Sequence, residues 1–228
     1  VTYCGGDVTV IASSYSLSGY THFAEMLLDS TLTPLAGVDV SLSMSFKSST
    51  VTDDKGWYGF TEVSPGDYMV IPERTADDLG VSVGDVIKIR RHIADVEPFT
   101  SPFQMIAGDV NMTDNVTVSD VVLIRRYLAA LDVLPSGNWS FVDAAFAIDM
   151  DNWYTAPNSA DVIVTNQDIE QINFLGVRMG DVNFTWFPEM PVSGRQFVGV
   201  ELTIPHMIAS SATDVHIPIL VTNFNGVA

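Results

Sequence analysis

The sequence predicts a mainly β protein with a small α module: a β-sandwich, then paired loop-helix units, then further β-strands. Three observations predict this. Val38, Val40 and Leu42 alternate with Asp39 and Ser41, the period of a half-buried strand. The apolar period then shifts to that of a helix at two places further along the chain. Those two places are copies of one another.

Taken in order, residues 1–16 read as an N-terminal strand or linker, with Gly5-Gly6 as a break and Val8 and Val10 alternating. Residues 17–72 read as the sandwich. From Thr50 to Ile71 the pattern is strand, turn, strand, turn, strand. The turns are Asp53-Asp54-Lys55-Gly56 and Ser64-Pro65-Gly66-Asp67, and the strands carry Trp57, Tyr58 and Phe60, then Tyr68 and Val70. Residues 73–135 hold the helices. Val86, Ile89 and Ile93 share one helical face, as do Val121, Ile124, Leu128 and Leu131. Residues 136–186 return to short apolar stretches broken by Asn, Asp and Pro, and read as an accessory segment. In 187–228 strands return, first around Phe197 to Ile204 and then as Val215, Ile217, Ile219 and Val221.

Composition narrows the function classes. The chain has 228 residues, 28 acidic against 10 basic, and a formal charge of −18. At 17% charged residues, it is short of Lys and Arg more than rich in acid. Clustered phosphate contacts therefore have little to draw on, and nucleic acid is not an expected partner. Apolar residues at 47% suffice for real cores. No apolar run reaches the ~18 residues of a membrane span. The lone Cys4 excludes an intrachain disulfide and a Cys-rich zinc site. Val1-Thr2-Tyr3 carries no initiator Met and no charged-then-apolar leader, which gives the look of a mature or excised chain.

The repeat carries the chemistry. Gly80-Val-Ser-Val-Gly-Asp-Val-Ile-Lys-Ile-Arg-Arg-His-Ile-Ala-Asp95 aligns with Asn115-Val-Thr-Val-Ser-Asp-Val-Val-Leu-Ile-Arg-Arg-Tyr-Leu-Ala-Ala130, with eight identities in sixteen at an offset of 35. Ahead of the second helix, Asp109, Asn111, Thr113 and Asp120 occupy positions 1, 3, 5 and 12 of a twelve-residue loop, and Asn115 stands at position 7. A hard cation with 6–8 oxygen ligands needs this wrapping, closed by a carboxylate on the first helical turn. Val116, at position 8, would anchor the loop on the core. Position 6 is Asp114 where an EF-hand has Gly, and position 12 is Asp where it has Glu. The alternative is an Asn/Asp-rich turn with Asp120 as a helix cap.

The first copy is incomplete. Its positions 1 and 3 would be Arg74 and Ala76, but it keeps Asp78, the Gly80 carbonyl and Asp85. Gly180-Asp181-Val182-Asn183 repeats Gly108-Asp109-Val110-Asn111 residue for residue, 72 positions later, with no helix-opening Asp after it. One fragment has the front of a loop and the other has the back. Asp181 and Asn183 are therefore expected to complete Asp78 and Asp85 in a split calcium site; otherwise Asp181-Val-Asn is a simple turn.

Segment 74–131 resembles a dockerin module through Gly108-Asp-Val-Asn, the Asp120 helix start and the duplicated Ile-Arg-Arg. The resemblance implies calcium as cofactor and a cohesin-like sandwich as protein partner. It puts Val118, Ser119, Arg125 and Arg126, with Val83, Gly84, Arg90 and Arg91, on or near the partner face. Residues 17–72 are similar to a carboxypeptidase-regulatory-like or collagen-adhesin B-type sandwich, an Ig/prealbumin-like fold. The motif runs through Thr33-Pro-Leu-Ala-Gly-Val38, Thr52-Asp-Asp-Lys-Gly-Trp-Tyr-Gly-Phe60 and Val63-Ser-Pro-Gly-Asp-Tyr68. Such domains are usually non-catalytic. Val215 to Phe224 resembles the first strand of a cohesin-like domain. With Asn138-Trp-Ser-Phe-Val142 and Gly176-Val-Arg-Met-Gly-Asp-Val-Asn183, the whole order is similar to large secreted bacterial proteins of the type IX secretion kind.

Enzyme signatures are thin. Gly80-Val-Ser82-Val-Gly84 matches a G-x-S-x-G elbow, but the repeat aligns Ser82 with Thr117, and no βα alternation surrounds it. His22, His92, His206 and His216 lack metal-ligand spacing. Asp149/Asp151 invite comparison with glycosidase carboxylates, although a loop turn explains them as well. Asn111, Asn115, Asn138 and Asn183 begin weak glycosylation sequons. Trp57, Trp139, Trp153 and Trp186 suit core packing better than a sugar platform.

The expected function is that of a non-catalytic, calcium-stabilised structural or adhesion module, extracellular or at the cell surface, mediating protein–protein assembly. The final strand has no following partner strand, so pairing with neighbouring copies is expected, giving a homopolymeric filament. The alternative is an accessory, dockerin-bearing region of a secreted hydrolase. Five basic residues, Lys88, Arg90, Arg91, Arg125 and Arg126, fall on the repeat helices and make one basic face on an acidic protein.

Overall fold

The computed structural model describes residues 14–24, 32–43, 48–76 and 79–186, and the backbone of 201–203 and 220–222. Asp78, Cys4, His206, His216 and most of the final predicted strands lie outside the described residues. The described chain is mainly β, with three small helices. It divides into two compact units, 1–188 and 189–228.

The first unit is built on two four-stranded sheets. β1 (Tyr15–Phe23) buries Leu17, Gly19, Thr21 and Phe23 on one face, the alternation of a half-buried strand. Its neighbours are β4 (Trp57–Val63), antiparallel, and β8 (Phe174–Arg178), parallel, with β6 (Trp139–Asp143) antiparallel to β8. The other sheet is antiparallel throughout. It runs β3 (Ser48–Val51), β2 (Asp39–Ser43), β5 (Gly66–Glu73) and β7 (Ala160–Val164). Leu17, Phe23, Tyr58, Phe60, Phe141 and Phe174 of the first sheet share one cluster with Val40, Leu42, Val70, Val162 and Val164 of the second.

Both turns expected between 50 and 71 are present. Asp53 Oδ1 accepts the amides of Lys55 and Trp57, and Gly56 takes the positive φ (73°) that closes the first. Gly19 lets the backbone at Ile172 pass, since a Cβ there would lie 1.9 Å from the Ile172 carbonyl oxygen.

The segment read as accessory, 136–186, does more than its sequence suggested. It supplies β6, β7 and β8, three of the eight strands in these two sheets, so residues 17–72 do not close a pair of sheets by themselves. The reason is range. β1 pairs with β8 (Thr21 with Phe174) and β5 with β7 (Val70 with Ala160), and no local period announces such distant partners.

Between β5 and β6 the chain builds the helices α1 (Val83–Ile93), α2 (Pro102–Gly108) and α3 (Val118–Leu128). α1 and α3 are eleven residues each, and both open on a capping box: Ser82 with Asp85, and Thr117 with Asp120. Ile89 and Ile124 are fully buried in a second cluster with Phe99, Phe103, Ala107, Val110, Val177 and Val182. His92, which aligns with Tyr127 in the repeat, is half-buried and stacks on Phe99 with ring centroids 4.1 Å apart.

In the second unit, β9 (Glu201–Thr203) pairs antiparallel with β10 (Leu220–Thr222). The part of the final strand that is described thus has a partner earlier in its own unit. No helix among the described residues is long and apolar enough to cross a membrane.

Candidate metal centre

The contiguous loop joins the end of α2 to the start of α3. Asp109, almost fully buried, accepts the amide of Thr113 on Oδ1 (3.0 Å) and that of Asp114 on Oδ2 (2.8 Å). The Asn111 amide donates to Asp120 Oδ1 (3.1 Å), so the front of the loop is bonded to the carboxylate that closes it. Asp120 Oδ2 accepts the backbone N–H and hydroxyl of Thr117 (2.8 and 3.0 Å). The Thr113 hydroxyl donates to Asn111 Oδ1 (2.6 Å). Met112 and Asp114 take left-handed φ of 56° and 63°, which turns alternate oxygens inward; Asp114 thereby fills the place where an EF-hand uses Gly. Val116 packs on the second core cluster, the anchoring expected of an apolar eighth position.

The same arrangement exists a second time, in two pieces. The Asn183 amide donates to Asp85 Oδ1 (3.1 Å), matching Asn111 and Asp120. Asp181 accepts the amide of Thr185 on Oδ1 (3.1 Å) and that of Trp186 on Oδ2 (2.8 Å), matching Asp109. Asp85 Oδ2 accepts the backbone N–H and hydroxyl of Ser82 (2.8 and 2.9 Å), matching Asp120 and Thr117. Phe184 has φ 55°, against 56° at Met112. The Thr185 hydroxyl donates to the Gly80 carbonyl (3.0 Å), which stands where Asn115 does in the contiguous loop. Residues 180–186 and 80–85 therefore meet and reproduce the backbone-amide bonds of the contiguous loop; the Thr hydroxyl differs, bonding Asn111 Oδ1 in one loop and the Gly80 carbonyl in the other. The sequence supplied Asp181, Asn183, Gly80 and Asp85 for this grouping.

Thr185 is the residue the sequence reasoning missed. Its signal is in the sequence, because Gly180-Asp-Val-Asn-Phe-Thr185 carries the match with Gly108-Asp-Val-Asn-Met-Thr113 on to the threonine. It holds the fifth position, which the sequence had assigned to Asp78. α2 was missed as well, although Ser101-Pro102 followed by Gln104 is a capping box with proline at the first helical position.

The carboxylates sit in an electrostatically unfavourable place. Burial pushes the carboxyls of Asp85 and Asp109 above their ordinary value, and neighbouring carboxylates push Asp109 further. Asp181 is fully buried and pushed up to about 6, first by desolvation and then by the charge of Asp85, with Arg178 opposing. The Arg178 guanidinium is itself buried, donating to the Asn138 carbonyl and the Tyr127 hydroxyl at 2.8 Å each.

Each loop thus gathers two carboxylates, an Asn and a Thr, and the split one also brings in the Gly80 carbonyl. Among the described residues no three His, Cys, Asp or Glu side chains converge. An all-oxygen set with neutral amide, hydroxyl and carbonyl donors suits a hard cation of calcium's size and disfavours zinc.

The residues placed on the partner face lie on the outer sides of α1 and α3. Val83 and Val118 are 65% and 63% exposed, and Gly84, Ser119, Arg90, Arg91, Arg125 and Arg126 are exposed. Ile87 and Val122, exposed and equivalent in the repeat, extend the stripe. Arg91 pairs with Glu97 (3.0 Å) and Arg126 with Asp132. Ser82, centre of the G-x-S-x-G match, caps α1 with its hydroxyl bonded to Asp85.

No protein-family model matches the chain, and no curated protein does.

Proposed function

We propose that this chain is a non-catalytic, calcium-stabilised structural or adhesion module that works outside the cell and mediates protein–protein assembly. The finer fold assignment belongs to the same proposal: an Ig/prealbumin-like sandwich carrying a dockerin-like pair of loop-helix motifs. One observation carries it. Two loops that share no continuous stretch of chain adopt the same hydrogen-bond pattern around the same residue types, Asp109, Asn111, Thr113 and Asp120 in one and Asp181, Asn183, Thr185 and Asp85 in the other.

When bound, calcium would supply the positive charge that these buried carboxylates lack. Asp109, Asn111, Thr113, Asp120 and the Asn115 carbonyl would hold one ion. Asp181, Asn183, Thr185, Asp85 and the Gly80 carbonyl would hold the other. Sites with two formal negative charges suit an extracellular setting, where calcium reaches the ~10⁻³ M that such modules require. The exposed faces of α1 and α3 would meet the protein partner, a cohesin-like sandwich or a neighbouring copy of this chain.

Equilibrium dialysis against radioactive calcium, with thermal melting in calcium and in chelator, tests the assignment. Two ions per chain and a lower melting temperature in chelator are expected. A melting temperature indifferent to chelator, with no bound ion, sinks it.

A further inference from the structure

We propose that the split loop is a staple that couples cation binding to the seating of Trp186 in the core between the sheets. The proposal rests on the calcium assignment for that loop and adds a conformational consequence to it.

The two loops differ in what they tie together. The amide of Asn111 reaches Asp120 across nine residues, whereas that of Asn183 reaches Asp85 across 98. They also differ at the sixth position. Asp109 Oδ2 holds the amide of Asp114, an exposed residue. Asp181 Oδ2 holds the amide of Trp186, whose buried indole lies 4.7 Å from the Phe23 ring and 4.8 Å from that of Trp139, centroid to centroid. One carboxylate thus faces the cation shell and also fixes the backbone that delivers an indole to the core.

The packing at the junction leaves no slack. A Cβ on Gly80 would lie 2.8 Å from Trp186 Cβ and 3.0 Å from Asp181 Oδ2. The segment entering α1, the carboxylate and the tryptophan are edge to edge. Without a cation, Asp181 and Asp85 are like charges buried together. Moving residues 181–186 outward relieves that repulsion and carries Trp186 with them. With an ion held by ligands from both segments, the same movement strips the ion of half its shell. Calcium therefore locks Trp186 in place, and its removal releases it. The contiguous loop has no such lever, because its sixth residue is on the surface.

Acrylamide quenching of tryptophan fluorescence in the full chain, in calcium and in chelator, reads this directly. The chain has four tryptophans, and Trp186→Phe identifies the component that belongs to position 186. In the parent, chelation is expected to expose that one component. Asn183→Ala keeps both buried carboxylates and removes one ligand oxygen, so at limiting calcium it should lose the split-site ion and show the exposed component. Asp109→Asn should also lose one ion yet keep Trp186 shielded in calcium. Asp181→Asn removes a ligand together with one of the two like charges, so it should lose one ion without exposing Trp186 as far as chelation exposes it in the parent. If Asn183→Ala loses its ion while Trp186 stays as shielded as in the parent, or if chelation leaves the parent's Trp186 shielded, the staple is overturned and the calcium assignment stands. If the parent binds no calcium, both are overturned.

Discussion

Asp85 and Asp120 each serve two structures at once. Each closes a capping box, with one oxygen on the N-cap residue, and turns its other oxygen to the front half of a loop. Asp181 has no helix to cap, and its burial leaves it the most strongly perturbed of these carboxyls. That perturbation has a sign. Its folded value of about 6 lies above the ordinary 3.8. Between those values the folded state binds more protons than the unfolded one, so cation-free stability falls as pH rises from about 4 to about 6. The shift corresponds to on the order of 3 kcal/mol. Calcium competes with the same proton. Its stabilising increment at the split site, isolated in an Asp109→Asn variant, should therefore be smallest at pH 4, grow through pH 6 and level off above it. Melting curves across that range, with calcium and with chelator, check this; an increment that does not vary with pH contradicts it.

At the scale of elements, the repeated loop-helix unit sets both the buried and the exposed surface. Ile89 and Ile124 face inward at equivalent positions, while Val83, Ile87, Val118 and Val122 face outward. The outward set supports no core, so a Val83→Asp/Val118→Asp double variant should stay within about 0.5 kcal/mol of the parent in stability. If neighbouring copies are the partner, the same variant should lose self-association in sedimentation. A parent that sediments as a monomer at every concentration removes copies of itself as the partner. These elements were also the most legible in the sequence. A capping box, an i, i+3, i+7 stripe and a duplicated Asp are local signals, and each specifies its neighbours within a dozen residues. α2 was missed because its seven residues are too few for periodicity to show. β6, β7 and β8 read only as short apolar stretches, since what defines them is pairing with β8, β5 and β1, chosen by burial across long separations. The split site fell in between. The fragment Gly180-Asp-Val-Asn was conspicuous as a copy, and its complement could be inferred only because the helix copy at 80–95 lacked that half.

At the scale of the molecule, the two sites should respond differently to global unfolding. A cation stabilises the fold only as far as it binds the native chain better than the unfolded one. The contiguous ligands lie within one short run, so an unfolded chain keeps some chance of gathering them. The split ligands do not, because the cost of closure grows with loop length. Bringing together residues 98 apart rather than nine costs an unfolded chain about 2 kcal/mol more. The split site therefore converts more of its binding free energy into stability. Asp109→Asn leaves only the split site, and Asp181→Asn leaves only the contiguous one. After correction for each variant's native-state calcium affinity, measured by titration, the calcium-induced rise in unfolding free energy should be larger in Asp109→Asn, by up to about 2 kcal/mol. Urea unfolding monitored by far-UV circular dichroism, with and without calcium, measures both increments on the full chain. Equal corrected increments would mean that the unfolded chain discriminates neither site, and that the long path between Asp85 and Asp181 has no thermodynamic consequence.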